Sequence, residues 1–170
     1  MTKTRFRYFR ALCVCIACSS IGLACGPAGA PRGSELPTDA ELPESRAVAI
    51  VAEALQDAGV TPGPAFPMDV GEPAPLEVDV RLGSRDFGIE WVSSQDREDH
   101  PSLPSPAPNG QLRVFPGSGD DAGIQVLILD ASAFLYDGDR DRVQAGATSL
   151  MDIEARIRRD VRDFLVHVGP

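Results

Sequence analysis

From Leu150 to Val168 the apolar side chains recur at steps of three and four: Leu150, Ile153, Ile157, Val161, Phe164, Leu165 and Val168. That spacing predicts a helix with one buried stripe. Ser149 and Asp152 stand before it as a capping-box variant. Glu154–Arg158 and Arg159–Asp163 form i,i+4 pairs on its wet face, and Gly169-Pro170 stops it. An earlier segment has the same period. Val48, Val51, Ala52 and Leu55 follow Ser45, which reads as an N-cap, and Gly59 ends the helix as a C-cap.

Between these helices the period falls to two. Leu76-Glu77-Val78-Asp79-Val80-Arg81-Leu82 alternates apolar and polar, and so does Phe87-Gly88-Ile89-Glu90-Trp91. Gly83-Ser84 and Asp86 supply turn chemistry, so a β-hairpin is expected. Its apolar face carries Val78, Val80, Leu82, Phe87, Ile89 and Trp91. Its other face carries Asp79, Arg81 and Glu90. Phe66, Met68 and Val70 alternate in a Pro-rich passage and predict a short edge strand. Leu112 to Phe115 predicts a further strand. Ile124 to Leu129 is a near-continuous apolar run, the mark of a central strand covered on both faces. Ser93 to Gly110 holds four prolines and the Asn109-Gly110 turn, so it is read as loop. A Gly- and Asp-rich loop runs to Thr148. The expectation is an α+β fold: one small domain, with an antiparallel-rich sheet of four or five strands between an N-terminal and a C-terminal helix.

Composition changes sharply before Ser45. Residues 26–44 are Pro, Gly, Ala and acid without an apolar period. They read as a disordered tether with a coil reach of roughly 25 Å. The predicted domain, residues 45–170, is one ordinary domain in length.

All four cysteines lie in the first 25 residues. There Lys3, Arg5, Arg7 and Arg10 precede an apolar stretch from Ala11 to Ala24, too short for a bilayer that needs about 20 residues. A basic start, a short apolar region and small residues before a cut site mark a secretory signal. The end, Leu23-Ala24-Cys25-Gly26, resembles the lipobox of bacterial lipoproteins, although Gly22 stands where that family usually has Leu. The resemblance implies residues 1–24 as signal peptide, Cys25 as the lipidated N-terminus and residues 25–44 as the lipidated Cys and tether. Cys18, after Cys15-Ile16-Ala17, is a second candidate. Cleavage after Ala28-Gly29-Ala30 would instead release a soluble secreted protein. Cleavage before Cys25 removes four basic groups and no acid, taking the net charge from −9 to −13. What remains has no Lys. Such a charge disfavours nucleic acid and anionic lipid surfaces. No Cys follows Cys25, so the domain is held by its core without disulfides.

Asp79 and Glu90 fall on one face of the expected hairpin. With a helix before it and a buried strand after it, this arrangement is weakly similar to the PD-(D/E)xK nuclease core over about residues 45–130. The resemblance implies two acids holding a divalent metal and a Lys two places after the second. Val92 occupies that place. Asp137, Asp139 and Asp141 resemble the opening of an EF-hand calcium loop, but Arg142 replaces its Gly and Thr148 its closing Glu. A solvated acidic loop is the expectation there. His100, in a Pro-rich loop, is expected to be solvent-exposed, and His167 to sit at a helix C-terminus, where a cation suits the dipole. Two His without Cys make no ordinary structural zinc site. Nucleotide, α/β-hydrolase and zincin motifs do not occur. Asp120-Asp121 after Gly117-Ser118-Gly119 would repel a phosphate.

The reading that follows is a membrane-anchored lipoprotein of the bacterial cell envelope, with a non-catalytic binding or scaffolding domain. No cofactor, metal or catalytic residue is expected, and no nucleic-acid partner. Gly26 rather than Asp after the Cys favours the outer membrane. The alternatives are a metal-dependent hydrolase of nuclease-like ancestry using Asp79 and Glu90, and a secreted binding protein cleaved after Ala30.

Overall fold

Helix α1 runs Glu44–Asp57 and buries Ala47, Ile50, Val51, Ala54 and Leu55. The computed structural model to which it belongs describes residues 39–107 and 111–169. The signal segment 1–24, Cys18, Cys25, the Ala30 site, the tether up to Thr38 and the Asn109-Gly110 turn lie outside the described residues. The expected N-cap of α1 is corrected. Pro43, not Ser45, holds the cap position without a side-chain bond, and its carbonyl accepts from the N–H groups of Arg46 and Ala47. The other end is as expected. Gly59 takes φ +75°, and the N–H groups of Gly59 and Val60 reach back to Gln56 and Leu55 in a Schellman closure.

Ordered structure begins before Ser45. Asp39–Ala40 forms β1 and pairs antiparallel with β9, Tyr136–Asp137. Leu42 is only 3% exposed and belongs to the main core. The tether boundary at residue 44 is therefore several residues too late. One Leu with no periodic neighbours gives no amphipathic signal, yet its burial alone is worth a few kcal/mol.

A five-stranded sheet organises the rest. Its strands are β2 (Pro62–Gly63), β5 (Val80–Leu82), β6 (Phe87–Val92), β7 (Val114–Pro116) and β8 (Gln125–Asp130), in the order β2-β5-β6-β8-β7. The β5–β6 pair is the expected hairpin, with Val80 opposite Ile89. β8 is the expected central strand. It pairs parallel with β6, Phe87 opposite Gln125 through Val92 opposite Asp130, and antiparallel with β7. β7 starts two residues later and ends one residue later than the predicted 112–115.

Two cores flank the sheet. On one face α1 and α4 (Leu150–Val168) bury Val80, Leu82, Ile89, Trp91, Leu127 and Leu129. The other face is covered by a separate two-stranded ribbon, β3 (Phe66–Met68) with β4 (Leu76–Val78). Its core joins Phe66, Met68, Leu76 and Val78 to Val92, Val126 and Ile128. The expected single apolar face of the hairpin is thus split. The strand breaks at Asp79, so Val78 packs on one side of the sheet and Val80 on the other. Gly88 makes this crossing possible: a Cβ there would lie 2.7 Å from Val78 Cγ1 and 3.2 Å from the Phe66 ring.

The capping box of α4 is as read, with Ser149 and Asp152 bonding reciprocally. Its stripe buries Ile153, Ile157, Val161 and Phe164, but Leu150 is exposed. The expected i,i+4 pairs are replaced by bridges between helices. Glu154 receives Arg46, and Arg158 reaches Glu53 and Asp57, while Arg159 turns to Asp160. Packing α1 directly on α4 brings these partners closer than those on the same helix. The segment read as loop from Ser93 also holds a helix, α2 (Ser94–Asp99), opened by a second capping box of Ser93 and Asp96. A third short helix, α3 (Arg140–Gln144), lies within the Gly- and Asp-rich loop.

Candidate functional site

The chemistry singled out in the sequence centres on Asp79 and Glu90, and the fold brings them together. Asp79 sits at the break between β4 and β5, where the backbone leaves one pairing partner for another. Regular ladder bonds are lost there, and carboxylates take their place. Glu90 Oε2 accepts the Asp79 N–H at 2.9 Å, and Asp79 Oδ2 accepts the Trp91 N–H at 2.8 Å. Each acid closes the backbone beside the other.

Glu90 is not on a wet hairpin face as expected. It is 3% exposed, because β6 is an interior strand with β8 on its second edge and the β3–β4 ribbon near its polar face. Burial comes first in pushing the Glu90 carboxyl up to about 9, and the Asp79 charge adds to it. Asp79, half-buried, is pushed up to about 6, again mainly by burial, with Glu44 and Asp96 adding repulsion. The Trp91 N–H and a bond from Glu90 hold it back. At neutral pH the pair thus keeps one proton on Glu90. A protonated carboxyl is a poor ligand for a hard cation. Arg81, expected between the acids, lies instead with its guanidinium 4.0 Å over the Phe66 ring. Neither acid lines any of the three main clefts among the described residues.

The D-x-D-x-D loop is solvated as expected at Asp139 and Asp141, which are exposed, but not at Asp137. Asp137 is buried, accepts the Asp139 N–H at 2.9 Å and pairs with Arg142 Nε at 2.8 Å. Asp139 caps α3 through the Asp141 N–H. The alternation is a turn followed by a helix cap: Asp137 and Asp139 accept local backbone N–H groups, and Asp141 stands in the first turn of α3. Among the described residues no group of three or more His, Cys, Asp or Glu side chains is placed to hold a metal ion.

His100 is corrected as well. It is buried, with Nδ1 2.9 Å from Glu72 Oε2. Bonds from Ser102 and then His100 hold the Glu72 carboxyl below its ordinary range. This pins the loop after α2 to the passage before β4. His167 stands exposed in the last turn of α4.

One buried ion pair was not anticipated. Asp130, at the end of β8, is paired with Arg97 of α2, and its Oδ1 accepts the Ser132 N–H at 2.9 Å. Arg97 also donates to the Pro104 carbonyl. The only sequence signal was an acid closing an apolar run.

Comparison with protein families, with curated proteins and with solved structures gives no match.

Proposed function

We propose that this protein is lipid-anchored in the bacterial cell envelope and that its domain binds or scaffolds a partner without catalysis. The observation that carries the non-catalytic part is the use of Asp79 and Glu90. Both give an oxygen to the backbone, Glu90 holds a proton at neutral pH, and neither faces a main cleft. A nuclease-like site needs two ionised acids around a metal and a base near the water. Here Val92 is buried where the Lys would stand.

The anchor rests on the basic start, the short apolar stretch and Leu23-Ala24-Cys25. Gly26 after Cys25 favours the outer membrane. Among the described residues no helix is long and apolar enough to cross a membrane. A lipid on Cys25 would supply the attachment, with more than one acyl group needed for stable hold. Metabolic labelling with a fatty acid tests the anchor. Label should enter the native protein and be lost in Cys25→Ser. Persistence in that variant moves the site to Cys18, and no label in either favours secretion after Ala30. The purified protein should show no Mg²⁺- or Mn²⁺-dependent cleavage of DNA or RNA. Cleavage abolished by both Asp79→Ala and Glu90→Ala would install the hydrolase reading instead.

A further inference from the structure

The β3–β4 ribbon is fastened to the rest of the domain at both ends, by different chemistry. At its turn, the Asp69 N–H donates to Asp121 Oδ2 at 2.7 Å, and the Asp69 carbonyl accepts the Ser118 N–H at 2.7 Å. Glu72 of the same turn holds His100 and the Ser102 N–H. At the open end, Phe66 is opposite Val78 and the backbone passes into the sheet through Asp79. β4 pairs with β3 alone, so no strand ladder ties this end to β6. The reciprocal bonds of Asp79 and Glu90 stand in its place. Glu90 lies between Gly88 and Val92 on the ribbon face of β6, 3% exposed. The charges around it oppose ionisation. Asp79, Asp96 of α2 and Glu44 at the start of α1 all repel it. On the other neighbouring elements, Arg81 of β5 lies over Phe66, Arg97 of α2 pairs with Asp130 of β8, and Glu77 of β4 is exposed.

We propose that the Asp79–Glu90 junction is a proton-operated clasp: when the pair loses the proton it shares, the open end of the ribbon releases from β6 while the turn and the α1–α4 core stay in place. Release uncovers the β6 edge at Trp91 and the side of Val78, which is fully buried when the clasp is shut. The inference concerns the domain alone and depends on neither the anchor nor a partner. Its direction with pH follows from the two states of Glu90. Shut, the carboxyl is pushed up to about 9 by burial first; open and hydrated, it returns to its ordinary 4.5. A value raised in the shut state means that closure is firmest below pH 4.5 and weakens as the pH climbs to 9. Opening therefore increases by as much as roughly tenfold per pH unit in that interval and levels off above it. Asp79, pushed up to about 6, adds to the slope only in the lower part of the range.

Amide hydrogen exchange of the full-length protein in detergent micelles tests the clasp. It is read by NMR at pH 6.5, 7.5 and 8.5, with and without sub-denaturing urea, and corrected for the intrinsic exchange rate. The Asp79 and Trp91 amides should exchange through an opening at least roughly tenfold more frequent than that of Ile157 and Phe164 in α4, and nearly independent of urea. Between pH 6.5 and 8.5 that opening should rise roughly ten- to hundredfold. In Glu90→Gln, which has no proton to lose, it should stay flat over the same range. Should that variant not fold, the pH slope and urea response of the native protein decide alone. Asp79 and Trp91 exchanging at the rate and with the urea dependence of α4 would mean that the junction opens only with the whole fold, and overturns the clasp. No measurable protection at pH 6.5, a flat pH response in the native protein, or an undiminished slope in a folded Glu90→Gln overturns it too.

Discussion

Glu90→Gln keeps the size of the residue and an oxygen for the Asp79 N–H, but removes the ionisable group. Burial and the neighbouring Asp79 charge raise the native carboxyl to about 9, from an ordinary value of 4.5. The folded state therefore takes up a proton that the unfolded state has released at pH 7. At about 1.4 kcal/mol per pH unit, holding it from 4.5 to 7 costs about 3 kcal/mol. Because this group's value is raised on folding, its support is fully present below pH 4.5 and is lost as the pH climbs toward 9. Asp79, raised to about 6 from 3.8, steepens the loss in the lower part of that range. Gln needs no proton, so the variant should be more stable than the native protein at pH 7 by up to about 3 kcal/mol, roughly 10 °C in Tm. At pH 4.5 the two should melt within a few degrees of each other. Calorimetry at pH 4.5, 7 and 9 reads this directly. A Gln variant that melts lower than the native protein at pH 7, or whose advantage is the same at pH 4.5, refutes the protonated, buried pair.

Two further substitutions probe how the cores are built. Gly88→Ala drives a Cβ to 2.7 Å from Val78 Cγ1, and should cost about 1–3 kcal/mol in denaturant unfolding; pairing it with Val78→Ala should recover part of the loss, and simple additivity would mean that the two residues do not collide. Leu42→Ala, at a residue 3% exposed, should cost about 2–4 kcal/mol by urea titration, whereas a change within experimental error would return residues 39–44 to the tether.

The elements written by local chemistry were legible. The box at Ser149 and Asp152, the 3.6-residue stripe of α4, the closure at Gly59 and the apolar run of β8 each need only neighbours within a few residues. What was not legible depends on partners far along the sequence. Glu90 reads as a wet residue because its strand alternates, and it is buried only because β8, some 38 residues later, pairs with that strand. His100 is buried by Glu72, 28 residues earlier. Arg46 and Glu154 meet across 108 residues, so the i,i+4 rule named the wrong partners. The helix after Ser93 was hidden by the prolines around it, although Ser93 and Asp96 carry the same capping signal recognised at Ser149. The pairing of Asp79 with Glu90 did follow from hairpin register. Their burial did not, and with it went the meaning of the pair: two acids on a surface invite a metal, while two acids sharing a proton in the interior hold a strand crossing together.

The first and last helices lie side by side and point the same way. Arg46, near the start of α1, meets Glu154 near the start of α4, and residues 58–60 after α1 share a cleft with Leu165, Val166 and Gly169 at the end of α4. The domain therefore has a head and a foot. The backbone arrives beside Pro43 at one pole and leaves from Gly169 at the other, about 28 Å away along nineteen residues of helix. A reporter or affinity tag fused beyond Gly169 would therefore leave the domain from the pole opposite the start of α1, clear of any partner held at that first pole.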